Sequence, residues 1–325
     1  MPVTKLIELN SGHTMPVVGL GTGKIIESQE IHNTIGIAVK NGYRHFDTAF
    51  SYKNEIGIGE ALKYQIDAGN VTRHEIFIAT KLPLIGMSRS RVSQFVNLSL
   101  KNLQLDYIDL YLIHWPVGLT YVSEHELMPR DENGQLQLDM TTNLVEIWKA
   151  MEDQVDQGRV KAIGLSNCTQ QQIQRILNIC RIKPASLQIE VHLYFQQNEL
   201  RMFCKKNDIS VTAYSPLGSQ GRSNYINAHK LKVPKLFQDP VVKKIAASHE
   251  KTPAQILLRF LVQGLNVQVI PKTVDSTRLH ENIEIFDFEL STEEIERLME
   301  LDEGEFGRCC RSFEGAILHP ECPFD

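Results

Sequence analysis

Short apolar segments alternate along the chain with longer segments in which apolar residues recur every three or four positions. The short segments are rich in Val, Ile and Tyr, which is typical of buried parallel strands. Eight of them predict strands, at residues 17–21, 43–48, 75–81, 107–114, 160–166, 185–191, 209–215 and 267–272. The segments between them, such as those beginning at Ser28, Ser90 and Asn143, have helical spacing and start at capping residues.

This alternation indicates the fold class. Eight strand–helix units with no Pro/Gly/Ser linker between them favour an α/β protein of the (β/α)8 TIM-barrel type over a doubly wound sheet in two domains. We therefore expect one barrel domain over residues 1–325. The sequence Asn10-Ser11-Gly12 between two apolar segments predicts an N-terminal β-hairpin, which would cap the bottom of the barrel.

Three segments are too long to be simple connections: residues 115–142, residues 216–238 and the tail from about residue 303. The first two follow the carboxyl ends of strands. Because barrel enzymes carry their sites at that face, we expect long functional loops there.

Composition narrows the possible partners and location. The net charge of −5 provides no basic surface for nucleic acid. No apolar segment reaches the roughly 18 residues needed to cross a membrane. The first residues lack the apolar core of a secretory signal, and the six cysteines contain no C-x-x-C pair. We therefore expect a reduced, cytoplasmic protein without a metal centre, and nothing in the sequence marks an oligomer interface, so we expect a monomer.

Four ionisable side chains lie at the ends of consecutive predicted strands. Asp47 ends the second strand and Tyr52 follows it, Lys81 ends the third, and His114 ends the fourth. Neighbouring strands of a barrel would bring all four to one rim, where such a cluster is costly unless its members are paired. Each could serve only a structural role, but their convergence on one face favours a catalytic site.

The residue types suit the reduction of a carbonyl group. A phenol with a pKa near 10 is a poor proton donor at neutral pH, and an adjacent lysine would lower that pKa. Asp47 would keep Lys81 charged and oriented. A neutral His114 could donate a hydrogen bond to a carbonyl oxygen of the substrate. Lys81 could instead form a Schiff base, as in an aldolase, although a neighbouring aspartate favours the charged amine.

Four motifs give the chain its resemblance to the aldo-keto reductase superfamily, over nearly its whole length. They are "GYRHFDTAFSY" at 42–52, "LYLIHWP" at 110–116, "KAIGLSN" at 161–167 and "IPKTV" at 270–274. The resemblance implies reduction of aldehydes and ketones to alcohols with NADP(H), with Tyr52 as general acid and Asp47, Lys81 and His114 completing a tetrad. Some members of that family serve as structural or channel proteins, so a nucleotide-binding protein without turnover is the alternative.

The same resemblance implies the residues that hold the cofactor. Near the nicotinamide they are Gly21, Thr22, Asp47, Ser166, Asn167, Gln188 and Tyr214, with Tyr214 stacked on the ring. Around the pyrophosphate they are Ser215, Leu217 and Ser219. The glycines of "VVGLGTGK" at 17–24 miss the G-x-G-x-x-G pattern, so we interpret them as part of a strand rim and not as a phosphate-binding elbow.

The segment that follows the last strand predicts NADP, and not NAD, as the cofactor. The resemblance implies that Lys272, Thr273 and Arg278 hold the 2′-phosphate, and that Glu281 and Asn282 contact the adenine. A lysine and a guanidinium together are well suited to a dianionic phosphate.

The substrate pocket departs from that of the best-known aldose-reducing members. Those members have tryptophans where this chain has Gly23 and Pro83, whereas Trp115 is kept. Tyr52, His114 and Trp115 are the expected substrate contacts. Phe313, Ile317 and Leu318 of the tail are further candidate contacts, which could instead only pack the tail onto the barrel. The loss of two large rings predicts a wide pocket that accepts bulky or steroid-like ketones, including the ecdysteroid-type ketones that similar insect members reduce.

Overall fold

The computed structural model describes residues 5–219, 235–311, 313 and 315–324. These residues form ten β-strands. In chain order they are β1 Leu6–Glu8, β2 Thr14–Pro16, β3 Leu20–Gly21, β4 His45–Asp47, β5 Phe77–Leu82, β6 Ile108–Ile113, β7 Val160–Ser166, β8 Ser186–Glu190, β9 Ser210–Tyr214 and β10 Gln268–Val269. From β3 to β10, each strand pairs in parallel with the next one in the sequence.

The eight parallel strands close on themselves. A parallel bridge joins Val18, just before β3, to Val269 of β10. The N–H of Gly19 donates to the carbonyl of Val269 over 2.8 Å, and the N–H of Val269 donates to the carbonyl of Val17 over 2.9 Å. The predicted (β/α)8 fold is confirmed.

Helices follow the strands and bury one face each. Those of the described residues are α1 Ser28–Lys40, α2 Glu55–Asp67, α3 Arg89–Leu103, α4 Leu144–Asp156, α5 Gln170–Leu177, α6 Asn198–Lys206, α7 Pro240–Ser248, α8 Pro253–Arg259, α9 Ser276–Ile283 and α10 Thr292–Met299. In α3 the buried positions Val92, Phe95, Val96 and Leu103 repeat with helical spacing. No helix among these is long and apolar enough to cross a membrane.

The predicted hairpin is present and lies at the amino ends of the barrel strands. β1 and β2 pair antiparallel around a turn in which Gly12 has a φ of +77°. The Asn10 amide donates to the carbonyls of Pro184 and Asp208, which precede β8 and β9, over 2.9 and 2.7 Å. The hairpin therefore covers the bottom of the barrel, as expected.

Part of the barrel interior below the carboxyl ends of the strands is apolar. A cluster of buried side chains there joins Met15 of the hairpin to Phe77 and Ala79 of β5 and to Leu110 and Leu112 of β6. Because alternate residues of a strand point to the same side, these positions share the inward face. Met15 is completely buried, so it closes the lower end of the interior.

The strand boundaries differ most at β3 and β10, which are shorter than predicted. β10 ends at Val269 although the apolar segment continues to residue 272. Pro271 has no N–H with which to continue the ladder. At β3, a Cβ on Gly19 would stand 2.6 Å from Nδ1 of His45, so only glycine allows this close approach. The glycine run is part of a strand rim, as predicted.

Candidate active site

The four predicted catalytic side chains meet at the carboxyl rim of the barrel. Asp47 ends β4, Lys81 lies near the end of β5, and His114 follows β6 directly. Tyr52 ends a single 3₁₀ turn, Phe50–Tyr52, which follows β4. Consecutive parallel strands carry the residues side by side, as the barrel topology requires.

Asp47 and Lys81 form a buried ion pair at the centre of this cluster. Nζ of Lys81 donates to Oδ1 of Asp47 over 2.6 Å and to the carbonyl of Thr48 over 2.7 Å. The second carboxylate oxygen accepts a hydrogen bond of 2.7 Å from the Gln188 amide, which reaches it from β8. Both charges are fully buried and well satisfied, which is the condition under which such a pair is tolerated.

The Tyr52 ring lies close to both the Lys81 ammonium and the His114 imidazole. Nζ of Lys81 lies 5.4 Å from the centre of the ring, and the His114 ring meets it edge-on at 5.6 Å between ring centres. Burial raises the pKa of Tyr52, Lys81 opposes that shift, and Asp47 adds to it. The lysine acts in the predicted direction, but burial outweighs it, so the pKa of the phenol lies above its ordinary value.

His114 is held in its neutral form. Burial, together with the charge of Lys81, lowers its pKa to about 3. Its Nδ1 is buried and has no hydrogen-bond partner among the described residues. Its carbonyl accepts a hydrogen bond of 3.0 Å from the Asn167 amide, which ties the end of β6 to the end of β7. A neutral imidazole at this position can donate a hydrogen bond without carrying charge.

The residues predicted around the nicotinamide also meet at this rim. Asn167 adopts a left-handed conformation with φ of +56°, and its side-chain oxygen accepts a hydrogen bond of 2.7 Å from the Tyr214 hydroxyl. The Asn167 amide also donates to the Ser166 hydroxyl over 3.1 Å. Gln188 lies next to them, with its amide nitrogen already bound to Asp47.

Gly21 and Thr22 form the part of the rim that β3 contributes. A Cβ on Gly21 would stand 2.8 Å from the carbonyl oxygen of Ile270, so the first and last strands approach closely here only because residue 21 is glycine. The N–H and the hydroxyl of Thr22 both donate to the carbonyl of Asp47 over 2.9 Å. These bonds fix the rim beside the ion pair.

The segment after β9 carries the predicted pyrophosphate contacts. Ser215 and Ser219 both have φ of +51°, and the Ser219 hydroxyl donates to that of Ser215 over 2.6 Å. Leu217, between them, is half-buried. Residues 220–234 of the predicted long loop at 216–238 lie outside the described residues.

The predicted phosphate and adenine contacts lie at the start of α9 and just before it. Lys272 and Arg278 are exposed, whereas Thr273 is buried. Asp275 caps the helix by accepting the N–H of Arg278 over 2.9 Å, and its own N–H donates to the Thr273 hydroxyl. Further along α9, Glu281 is half-buried and Asn282 is buried. Two cations therefore flank a rigid turn at the barrel mouth.

Aromatic residues of the tail form a wall that the sequence did not predict in full. Trp115 meets Phe313 edge-on at 5.8 Å between ring centres, and Phe324 at 5.5 Å. The Arg308 guanidinium lies 4.0 Å from the centre of the Phe324 ring. Phe313 was a predicted pocket contact, but Phe324 was not. Its proximity to Trp115 depends on how the tail folds back, for which the sequence carries no periodic signal.

Two other tail residues from that prediction, Ile317 and Leu318, are largely exposed. The tail is anchored nearby, since the carboxylate of Glu321 pairs with the Arg175 guanidinium at 2.7 Å and His319 contacts the carbonyl of Asp139 at 2.9 Å. Cys310 is a further residue that was not among the predicted site residues. Its Sγ lies 3.7 Å from the Ser215 hydroxyl, and it contributes to the rise in the Tyr52 pKa.

The barrel fold and the residues at its rim together indicate the class of this protein, and comparison with known proteins gives the same class. The family model of the Aldo/keto reductase family matches residues 17–303, so the chain belongs to that family. It is therefore an oxidoreductase that acts on carbonyl groups of small molecules.

Individual relatives cover almost the whole chain. Prostaglandin F synthase 1 of Bos taurus is 38% identical over 329 residues, covering 99% of this chain and 98% of the relative. Aldo-keto reductase family 1 member A1 of Rattus norvegicus is 42% identical over 291 residues, covering 89% and 87%. Among solved structures, the aldose reductase from Schistosoma japonicum superposes with a TM-score of 0.87 at 41% identity, covering 99% of each chain.

Proposed function

We propose that this protein reduces aldehydes and ketones to alcohols with NADPH. The observation that carries the proposal is the buried ion pair of Lys81 and Asp47, whose Nζ and Oδ1 atoms are 2.6 Å apart. This pair lies beside the Tyr52 ring and a neutral His114, at the rim of the barrel typical of the family. Tyr52 is proposed as the proton donor. Carbonyl reduction needs a proton at oxygen when carbon receives a hydride, and the phenol is the one neutral acid in this cluster.

The residues at the rim fit a bound nicotinamide nucleotide. Gly21 places no side chain at the rim, where the first and last strands approach closely, and Tyr214 offers an aromatic face. Ser166, Asn167 and the oxygen of Gln188 supply donors and acceptors for a carboxamide. Ser215, Leu217 and Ser219 are proposed to contact the pyrophosphate. When bound, the reduced nicotinamide supplies the hydride.

The protein's own residues then act on the carbonyl oxygen. His114, kept neutral by burial and Lys81, donates a hydrogen bond that orients this oxygen toward Tyr52. As Tyr52 gives up its proton, the adjacent ammonium stabilises the phenolate that forms. Asp47 acts as the positioning residue, since its carboxylate holds Lys81 in place. The same pairing keeps the amine charged, which is unfavourable for a Schiff base.

NADP is proposed over NAD because of the cations beside α9. Lys272 and Arg278 flank a turn fixed by Asp275 and Thr273, and exposed cations at that place favour a phosphate group. Glu281 and Asn282, one turn further on, are proposed to contact the adenine.

The proposed substrates are bulky or steroid-like ketones, including those of the ecdysteroid type. Gly23 lies against the Tyr52 ring, since a Cβ there would stand 3.6 Å from it. A large ring at position 23 would therefore occupy space directly beside the proton donor. Pro83 stands where aldose-reducing members have their second tryptophan, and the rings of Trp115, Phe313 and Phe324 pack together as an aromatic wall.

The proton-donor role is tested by Tyr52→Phe. The substitution keeps the ring and its packing but removes the hydroxyl, so kcat should fall by about 10²–10⁴-fold. NADPH affinity, measured by quenching of protein fluorescence, should stay within about twofold. If the variant keeps most of its turnover, Tyr52 is not the donor. If the wild type binds NADPH but reduces no member of a broad carbonyl panel, the non-catalytic alternative is favoured.

The wide pocket is tested by Gly23→Trp with the same panel. The added ring should raise KM for polycyclic ketones by at least about tenfold, and leave short aldehydes nearly unchanged. Leu217→Ala, which acts at the cofactor side, should change both substrate sets equally and serves as the control. Exclusive turnover of short aldehydes by the wild type would contradict the proposal.

A further inference from the structure

A second cluster of chemically reactive side chains lies outside the proposed active site. Glu190 ends β8, His192 follows two residues later, and Cys309 comes from the tail. All three are buried, with exposed fractions of 1%, 0% and 4%. A carboxylate oxygen, an imidazole nitrogen and a thiol sulfur lie within 4.8 Å of one another.

One ring nitrogen of His192 faces both other groups. Nε2 is 3.2 Å from Oε1 of Glu190 and 3.3 Å from Sγ of Cys309. Nδ1 is buried and has no hydrogen-bond partner among the described residues. A thiol relay of the kind used in nucleophilic catalysis needs the thiol on one ring nitrogen and the acid on the other. The convergence on a single nitrogen therefore excludes that interpretation and indicates three ligand atoms around one point.

We propose that Glu190, His192 and Cys309 bind a zinc ion. Oxygen, nitrogen and sulfur are all ligands of Zn²⁺, and in a tetrahedral site with ordinary bond lengths such atoms are roughly 3.3–3.8 Å apart. From Nε2, the separation of 3.2 Å to Oε1 of Glu190 is just below that range and the separation of 3.3 Å to Sγ of Cys309 is at its lower limit. The two side chains must therefore move outward from Nε2 to place the ion.

Charge balance supports a divalent cation at this buried place. A carboxylate and a thiolate together neutralise Zn²⁺, so the loaded site carries no net charge. On binding, Cys309 releases its thiol proton to solvent, and neutral His192 carries its ring proton on Nδ1 while Nε2 binds the metal. The second oxygen of Glu190 remains bound to the N–H of Cys310 over 2.7 Å, which holds the carboxylate in place.

The fourth ligand position is adjacent to the segment after β9. The carbonyl oxygens of Gly307 and Gly218 lie 3.6 and 3.9 Å from Sγ of Cys309, and either of them or a water can serve as this ligand. The ion would join the tail to the end of β8 and, with Gly218 as the ligand, also to the segment that contains Ser215 and Ser219. We expect it to stabilise the folded tail whether or not the proposed reductase activity is correct.

The experiment uses the untagged full-length chain, freed of metal with a chelator and then titrated with Co²⁺ as a spectroscopic probe and with Zn²⁺. One equivalent of Co²⁺ should give a thiolate-to-metal charge-transfer band, and Zn²⁺ should displace it. Cys309→Ser keeps the size of the side chain but removes the thiolate. It should abolish the band and weaken Zn²⁺ binding by about a hundredfold or more.

Matched variants distinguish a ligand from a change in folding. Cys204→Ala removes another buried thiol, on α6, and should keep the band. Thermal unfolding without metal should be similar for Cys309→Ser and the wild type, with a Zn²⁺-dependent rise in Tm only in the wild type. If Cys309→Ser fails to fold, Glu190→Gln gives the same test. An unchanged band in either ligand variant, or its loss in Cys204→Ala, would overturn the assignment.

Discussion

The two ends of the barrel interior differ in chemistry although the same strands build both. On the inward face of β5, Phe77 and Ala79 are followed by Lys81. On β6, Leu110 and Leu112 are followed by His114 at the strand end. The lower end gains stability from apolar packing, whereas the upper end buries charged side chains at positions where apolar side chains would stabilise the fold more. This contrast supports the proposal that the upper end carries the chemistry while the lower end stabilises the fold.

The largest expected effect comes from removing one charge of the upper pair. Asp47→Asn leaves the Lys81 ammonium buried without its counter-ion, and should lower the free energy of unfolding by about 3–5 kcal/mol. Adding Lys81→Met should restore most of that loss without restoring turnover. Urea unfolding of the single and the double variant measures these free energies. A double variant no more stable than Asp47→Asn would contradict the contrast between the two ends of the barrel interior.

Shortening a side chain at the lower end should reduce stability without reducing turnover. Met15→Ala removes a fully buried side chain and should cost about 2–4 kcal/mol of unfolding free energy. Because Met15 is at the opposite end from Tyr52, kcat of the folded fraction should be unchanged. A fall in kcat comparable with that of Tyr52→Phe would mean that the two ends are coupled.

The neutral state of His114 predicts a loss of stability in acid. Its pKa is about 3 in the folded protein and near 6.5 when unfolded, so the unfolded chain binds the additional proton between these values. The contribution of neutral His114 to the free energy of unfolding is constant above pH 6.5 and is lost progressively as the pH falls toward 3. Between pH 7 and pH 5 it should remove about 2 kcal/mol of stability.

The matched control for this titration is His114→Gln, which cannot take up that proton. The difference in unfolding free energy between the variant and the wild type should change by the same amount over this pH range. Parallel pH profiles for the two proteins would show that His114 is not the group responsible.

The smallest expected effect is at the rim beside α9. Arg278→Ala should weaken NADPH binding by about tenfold, since a charge-assisted hydrogen bond contributes about 1.5 kcal/mol. NADH binding should be unaffected. Equal losses for both cofactors would place the 2′-phosphate elsewhere, and Arg297→Ala, on the exposed part of α10, serves as the control.

The sequence predicted the fold and the four-residue cluster for the same reason. Strand and helix periodicity is local, and a barrel of consecutive parallel strands turns chain order into spatial order. Strand ends that are neighbours in the chain, such as those at Asp47, Lys81 and His114, therefore had to be neighbours on the rim. The amino-acid sequence alone determined the alternation of elements, the hairpin turn at Gly12 and the identity of these side chains.

Only the tertiary structure decided how those groups are tuned and what surrounds them. The net rise in the Tyr52 pKa depends on burial outweighing Lys81, which is a balance of distances and not of residue types. The contact of Gln188 with Asp47 crosses the barrel, and the meetings of Phe324 with Trp115 and of Cys309 with Glu190 require the tail to fold back. Such contacts join residues far apart in the chain, where no periodic pattern links the partners, so the folded chain alone determines them.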